Sequence, residues 1–164
     1  MIKKLSIGDA CEFLRNIMSS KYLLVCIGTF LRGDDRACLE FCNLLKKYGI
    51  YDSIVECEFG LENCVYEIKE RNSNNIAICD AAISDSIEPG YIVSLDLEDV
   101  NEDVVFVSTH SIPLSLSIEL LRENISRGDI KLFGIVVENL DFGTELSPVV
   151  SKTINEIIEC LAKS

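Results

Sequence analysis

The chain has 164 residues, 48% of them apolar, and 27 acidic against 15 basic side chains give it a net charge of −12. This length fits one domain with a substantial core. The excess of acid argues against a nucleic acid or an anionic membrane as partner, because binding phosphates requires a positive face. No apolar run reaches the roughly 18 residues of a membrane helix, and Asp9 and Glu12 interrupt the segment where a signal peptide would be apolar. We therefore expect a cytoplasmic, soluble protein.

The predicted elements alternate between strand and helix along most of the chain. Residues 1–20 are predicted as an N-terminal helical extension, and residues 21–164 as one α/β domain. Alternating strands and helices predict a mostly parallel sheet with helices on both faces. The predicted strands are Tyr22–Ile27, Ser53–Cys57, Asn75–Asp80, Tyr91–Leu95, Val104–Ser108 and Lys131–Val137, and the predicted helices are Arg36–Tyr48, Leu61–Arg71, Leu114–Asn124 and Ser147–Ala162.

Eight cysteines are spread over these elements, and no C-x-x-C pair occurs among them. Most of them sit inside apolar patterns, where a reduced cysteine behaves as a small apolar residue. We expect buried, reduced thiols. The alternative is a zinc site formed by Cys38, Cys42, Cys57 and Cys64, which the spacing of these residues supports poorly.

The loop after the first predicted strand, within Cys26–Cys38, ends in two adjacent carboxylates. Gly28 and Gly33 frame the loop, and Asp34 and Asp35 immediately precede a helical pattern. The two acids can cap that helix at its positive end, or one of them can belong to a metal site. A phosphate-binding loop is strongly disfavoured, because the acids stand where such a loop needs Lys and Ser or Thr.

Three side chains that commonly bind metals lie at the ends of predicted strands. Asp35 follows the first strand, Asp80 ends the strand Asn75–Asp80, and His110, the only histidine, follows the strand Val104–Ser108. The ends of parallel strands share one edge of a sheet, where ligands bind in such folds. Two carboxylates and an imidazole suit a divalent metal such as zinc, nickel, iron or manganese. Each residue also has a structural alternative, as a cap, a turn residue or a core histidine.

Several sequence blocks, in this order, resemble the nickel–iron hydrogenase maturation endopeptidases, and in particular the type that processes the formate-hydrogenlyase large subunit. The likeness extends from about Tyr22 to Leu161. The blocks are the loop Cys26–Cys38, the strand Ile76-Ala77-Ile78-Cys79-Asp80-Ala81, the turn Pro89-Gly90, the segment Ser108-Thr109-His110-Ser111-Ile112-Pro113-Leu114, the strand Phe133-Gly134-Ile135 and the helix start Leu146-Ser147-Pro148-Val149-Val150.

The resemblance implies a three-layer α/β/α sandwich around a mostly parallel twisted sheet of about five strands. It implies an endopeptidase that removes the C-terminal extension of a hydrogenase large-subunit precursor after nickel insertion. Asp35, Asp80 and His110 would then contact the metal and assist cleavage. The nickel would arrive with the substrate, and zinc or cadmium would replace it in vitro. The expected partner is the precursor tail, with a basic residue at the cleavage site, and the expected state is a monomer or weak homodimer.

The sequence also departs from the family pattern around the acid pair. Thr29 stands where asparagine is usual, and Arg36 and Cys38 replace two glycines. Arg36 is expected to bring a positive charge near Asp35, where it would pair with a carboxylate or weaken a cation site. Asp34 is expected to cap the following helix and hold the loop. The alternative functions are a non-catalytic, nickel-sensing chaperone of the same fold and, least favoured, a nucleotide-binding regulator.

Overall fold

A computed structural model describes residues 2–95, 104–107, 114–124 and 128–163 of the chain. These residues form strands and five α-helices in the order β1, α1, β2, α2, β3, α3, β4, β5, β6, α4, β7, α5. The strands are β1 Lys3–Leu5, β2 Leu23–Gly28, β3 Ile54–Glu58, β4 Ile76–Ser84, β5 Ile92–Leu95, β6 Val104–Phe106 and β7 Ile130–Val136. The helices are α1 Ile7–Ser19, α2 Ala37–Lys47, α3 Val65–Glu70, α4 Leu114–Asn124 and α5 Pro148–Ala162.

One mixed sheet organises the described part of the chain. Its strand order is β1-β5-β7-β4-β2-β3, and β6 pairs with β4. The central strands β7, β4, β2 and β3 are parallel to one another, whereas β1, β5 and β6 pair antiparallel. The predicted α/β class is confirmed, with a sheet of seven described strands instead of about five. The sequence pattern predicted β5 and β6 as strands, but it did not show their antiparallel direction, and it missed β1.

Helices cover both faces of the sheet and create two apolar cores. Buried side chains of α1, α2 and α5 pack on one face, and those of α3 and α4 pack on the other. The central parallel strands are buried on both sides, which explains their continuous apolar runs. Within the described residues, no helix combines the length and the apolar character needed to cross a bilayer.

The segment predicted as an N-terminal helical extension is built into this sandwich. Strand β1 pairs with β5, with Lys4 opposite Val93. Ser6 caps α1 by accepting a hydrogen bond from the backbone N–H of Asp9 at 3.1 Å. Helix α1 then packs against α5, with Leu14 and Ile17 in the core. The segment therefore supplies a strand and a core-forming helix.

The eight cysteines form four disulfides, so the prediction of reduced thiols is wrong, although most of these side chains are buried as expected. The pairs are Cys11–Cys160, Cys26–Cys42, Cys38–Cys79 and Cys57–Cys64. They join α1 to α5, β2 to α2, and α2 to β4, and the fourth closes the turn after β3. The four cysteines of the alternative zinc site are divided among three of these bonds. Spacing along the chain does not show which cysteines meet across the core.

Asp34 connects two loops that are distant in sequence. Its fully buried carboxylate accepts hydrogen bonds from the backbone N–H groups of Glu138 at 2.9 Å, Asn139 at 3.0 Å and Ser147 at 2.7 Å. The hydroxyl of Ser147 donates a fourth at 2.8 Å. The N-cap residue of α2, Arg36, makes no side-chain capping hydrogen bond, and the carboxylate of Asp34 binds the other loop instead. The predicted capping role of Asp34 is therefore wrong, whereas its role in holding the loop is confirmed.

The disulfides lead to a prediction about stability. Cys11 and Cys160 are 149 residues apart, and Cys57 and Cys64 only 7. In the chain-entropy model, a cross-link that closes a longer loop removes more freedom from the unfolded state. We expect a Cys11→Ala/Cys160→Ala double variant to lower the free energy of unfolding by about 5 kcal/mol, and Cys57→Ala/Cys64→Ala by about 2 kcal/mol. Urea denaturation without reductant measures both values, and equal losses would contradict the entropic account.

The Asp34 contacts lead to a second prediction. In Asp34→Asn, an NH2 group replaces one of the two carboxylate oxygens that accept these hydrogen bonds. An NH2 group cannot accept a hydrogen bond, so at least one buried N–H loses its partner. We expect the free energy of unfolding to fall by about 2–4 kcal/mol. The matched control is Asp141→Asn, an exposed residue of the loop that Asp34 holds, which should change stability by less than about 0.5 kcal/mol. Similar losses in both variants would show that the buried contacts contribute little.

Candidate functional site

Two of the three predicted site residues lie on neighbouring parallel strands or directly after them. In the pairing of β2 with β4, Cys26 stands opposite Cys79. Asp80 therefore lies one residue beyond this pair, near the level where β2 ends at Gly28. Asp35 lies in the turn that follows β2. Both carboxylates thus occupy the carboxyl edge of the parallel centre, where ligand sites form in such sheets.

Asp80 is an interior residue of its strand, which corrects the prediction that it ends the strand. β4 continues to Ser84, because its last residues pair with β6 on one side and with β7 on the other. Asp80 is fully buried and stands opposite Gly134 of β7. Side chains alternate along a strand, so Asp80 belongs to the same face as Ile78 and Ala82, the face covered by α3 and α4.

Two glycines allow the loop after β2 to fold back onto the strand end. A Cβ atom on Gly28 would collide with the main-chain oxygen of Asp35, and the backbone N–H of Thr29 donates to that same oxygen at 3.1 Å. Gly33 has a φ of +37° and lies against the main-chain oxygen of Asn139, where a Cβ atom would not fit. The predicted loop-forming role of these glycines therefore has a steric basis.

Asp35 lies in a short 3-10 turn, Gly33–Arg36, that packs against β4. Its side chain is buried, and one carboxylate oxygen accepts a hydrogen bond from the guanidinium of Arg32 at 2.9 Å. A buried carboxylate is costly unless a positive group or hydrogen-bond donors compensate its charge. Arg32 provides part of that compensation.

Arg32 is a further residue of the candidate site, and the sequence pattern did not single it out. The spacing of three residues between Arg32 and Asp35 could have indicated this ion pair, since residues three apart lie above one another in a 3-10 turn. The expected partner of Asp35, Arg36, has a different role. Its guanidinium donates to the main-chain oxygens of Gly33 at 3.1 Å, Phe30 at 2.9 Å and Thr144 at 2.7 Å. Arg36 therefore braces two loops, and within the described part of the chain the ion pair of Asp35 is made by Arg32.

His110 lies outside the described residues, so the structure gives no contact for the third predicted ligand. Within the described part of the chain, no three His, Cys, Asp or Glu side chains are grouped as a metal site. What these residues do supply is a pair of buried carboxylates on one edge of the sheet. Carboxylate oxygens can bind a divalent metal or accept a proton as a general base.

Comparisons with known proteins bear on the family and the fold of the chain. A family model described as hydrogenase maturation protease matches residues 53–164, more than half of the chain. The match includes Asp80 and His110 and begins after Asp35. No curated protein matches the chain significantly.

Solved structures of several maturation proteases share the fold. A nickel–iron hydrogenase maturation protease HycI from Thermococcus kodakarensis has a TM-score of 0.73 and 24% identity, covering 92% of this chain and 97% of its own. The endopeptidase HycI from Escherichia coli has a TM-score of 0.68 and 24% identity, covering 84% and 86%. The maturation protease HybD from Thermococcus kodakarensis has a TM-score of 0.64 and 24% identity, covering 87% and 97%. Together with the sequence match over residues 53–164, these likenesses identify the chain as a member of the hydrogenase maturation protease family.

Proposed function

We propose that this protein is an endopeptidase that removes the C-terminal extension of a nickel–iron hydrogenase large-subunit precursor after nickel has been inserted. Membership of the hydrogenase maturation protease family supports a peptidase that acts on a hydrogenase precursor. The observation that carries the proposal further is the pair of buried carboxylates, Asp35 and Asp80, at the carboxyl edge of the sheet.

In this proposal Asp35, Asp80 and His110 contact the nickel that the precursor carries, and zinc or cadmium replaces nickel in vitro. The donor set fits, since carboxylate and imidazole are ordinary ligands of these divalent metals. Held by these residues, the metal would supply Lewis-acid polarisation of the scissile carbonyl group. Asp35 or Asp80 accepts a proton from the attacking water as general base.

The ion pair between Arg32 and Asp35 gives the site a resting state. Before a metal-loaded precursor arrives, the guanidinium compensates the buried carboxylate at 2.9 Å. A divalent cation that binds the same carboxylate competes with Arg32 for it. Metal binding by Asp35 then requires the guanidinium to move or to share the carboxylate.

The partner in this proposal is the C-terminal tail of the precursor, with a basic residue at the cleavage site, met in the cytoplasm by a monomer or weak homodimer. The net charge of −12 suits a basic segment, because opposite charges raise the rate of association. The chaperone alternative depended on Arg36 disturbing the cation site. Because Arg36 binds main-chain oxygens, that argument loses its support.

The proposal predicts the outcome of a processing assay. A nickel-loaded precursor mixed with the wild-type protein should lose a C-terminal fragment, measured by intact mass. Asp80→Asn should slow this loss by at least about 100-fold, because a general base or metal contact is removed. The control is Asp85→Asn, an exposed carboxylate just after β4, which should process at the wild-type rate. Binding of the precursor without any loss of mass in the wild type would favour the chaperone.

A metal titration tests the ligand set without any cleavage. We expect calorimetry with Ni²⁺ or Cd²⁺ to detect one site in the wild type. Asp80→Asn and His110→Ala should each weaken this site by at least about tenfold, since each removes a direct ligand. Unchanged affinity in both variants would contradict the proposed ligands, and Asp85→Asn again serves as the control for a general loss of negative charge.

A further inference from the structure

A cavity of 370 Å³ opens at the amino edge of the sheet, at the opposite end of the parallel strands from the two carboxylates of the candidate site. It lies between the start of β1, the end of β5, the start of β7 and helix α1, and we call it the amino-edge cavity. Its lining includes Lys3, Leu5, Phe13, Ser94, Asp129 and Lys131. A volume above roughly 300 Å³ falls in the range of pockets that hold small molecules.

Polar side chains from three neighbouring strands share one face of the sheet at this cavity. Lys3 of β1 stands opposite Ser94 of β5, and Ser94 stands opposite Phe133 of β7. Residues paired directly across strands share a face, as do residues two apart along one strand, so Lys131 belongs to this face as well. Phe133 packs in the core that α1 covers. Two ammonium groups and a hydroxyl, all of them hydrogen-bond donors, therefore lie on the side of the sheet where α1 packs.

Lys131 is held in place by two neighbouring side chains. Its Nζ atom lies 3.3 Å from Oδ2 of Asp129 and 5.8 Å from the centre of the Tyr22 ring. The hydroxyl of Tyr22 donates to the same carboxylate oxygen at 2.5 Å. This hydrogen bond is the main reason that the pKa of Asp129 is lowered, so the carboxylate is charged at neutral pH. The ammonium group of Lys131 is thus positioned before any ligand binds, which lowers the cost of binding.

Lys3 adds a positive charge that no carboxylate compensates. Among the residues that the structure describes, Lys3 forms no ion pair, whereas the adjacent Lys4 pairs with Glu88 at 3.9 Å. The charged lining is therefore two ammonium groups and one carboxylate, in a chain whose net charge is −12. One unmatched positive charge complements a ligand with a single negative charge. A second negative charge on the ligand would be repelled by Asp129.

The other side of the cavity is apolar. Leu5 and Phe13 both line it and are half-buried, so each leaves part of its side chain available for contact. The ring of Phe13 packs edge-on against Phe133, with the ring centres 5.6 Å apart and the planes at 72°, which restricts its orientation. An apolar wall with a few polar groups on one side is the usual composition of a small-molecule pocket.

The lining is less suited to a phosphate group than to a carboxylate. Phosphate sites commonly use arginine forks, helix N-termini or glycine-rich loops. None of the described residues that line the cavity is an arginine or a glycine. Helix α1 contributes Phe13, which lies in the middle of the helix and not at its N-terminus. A phosphate dianion would also bring more negative charge next to Asp129.

We propose that the amino-edge cavity binds a small organic monoanion, namely a carboxylate with an aromatic or branched apolar body. The ligand carboxylate lies between the ammonium groups of Lys3 and Lys131 and accepts a hydrogen bond from the hydroxyl of Ser94. The apolar body lies against the wall formed by β1 and α1. Asp129 orients Lys131 and selects against a second negative charge. This site is separate from the candidate site at the carboxyl edge, so it does not depend on the proposed cleavage.

A titration followed by amide chemical shifts tests this site. The probe is phenylpropionate, which carries one carboxylate on an apolar body, and the small free energy per atom of such ligands gives an expected Kd on the order of 1 mM. The shift changes should saturate and be concentrated at Lys3, Ser94 and Lys131. Two comparison ligands, the uncharged phenylpropanamide and phenyl phosphate, which is mostly a dianion at about pH 8, should each bind at least about threefold more weakly.

Charge variants identify the groups that hold the carboxylate. Lys3→Gln should raise the Kd about threefold. Lys131→Gln should raise it about tenfold, because Asp129 then faces the ligand without its compensating charge. Asp129→Asn should lower the Kd at least about threefold, a gain of affinity that a purely structural role of Asp129 would not produce. The matched control is Lys69→Gln, an exposed lysine of α3 on the other face of the sheet, which should bind like the wild type.

Several outcomes would overturn the proposal. The first is the absence of any saturable shift in the wild type up to about 20 mM phenylpropionate. The second is equal affinity for the acid and its amide, or unchanged affinity in both Lys3→Gln and Lys131→Gln. Tighter binding of phenyl phosphate would contradict the selection for a monoanion. Shift changes centred on exposed Phe59 and Phe142 would assign the probe to a different surface. The spectrum of each variant without probe shows whether its fold is intact.

Discussion

The buried carboxylate of Asp34 is the constraint on which the site depends. It takes four hydrogen bonds from the segment between β7 and α5, and its own N–H donates to Asn139. Because Asp35 is the next residue, fixing Asp34 also fixes the backbone that carries the proposed metal contact. The same bonds hold the loop of Phe142 opposite Leu31 and Arg32. Two loops that are about 100 residues apart are therefore held together as one edge. The structural carboxylate of Asp34 thus positions Asp35, the carboxylate that is proposed to contact the metal.

The sequence predicted the centre of the fold and the placement of Asp35 and Asp80 at one edge of the sheet. It failed where the outcome depended on partners distant in the chain. The buried parallel strands are visible as apolar runs, and Asp35 and Asp80 follow from where those runs stop. The antiparallel pairing of β1 and β6 depends on sheet edges, which periodicity does not describe. Arg32 was missed because its role depends on the 3-10 turn that brings it onto Asp35. The predicted role of His110 stays a prediction, since it lies outside the described residues.

Two departures from the family pattern acquire a physical reason in the structure. Cys38 stands in place of a glycine, and its bond to Cys79 joins the first turn of α2 to β4 next to Asp80. Arg36 stands in place of another glycine and satisfies three main-chain oxygens of the two loops. Glycines at these two positions would permit close approach of another backbone. In this chain, the disulfide of Cys38 and the guanidinium of Arg36 instead fix the region around the acid pair. Disulfides are uncommon in cytosolic proteins except those of hyperthermophiles, so the cytoplasmic location stays a prediction.

The disulfide between Cys11 and Cys160 restricts how the molecule can unfold locally. These residues are 149 positions apart, so the polypeptide between them is a covalent ring that contains every strand from β2 to β7. Chains usually fray first at their ends, but α1 and α5 are tied together and cannot separate independently. Apart from β1, which lies outside the ring, local opening must then begin at exposed turns inside the ring. A single cut by a protease in such a turn would leave both pieces joined, and the candidate site residues Asp35 and Asp80 would remain in one molecule.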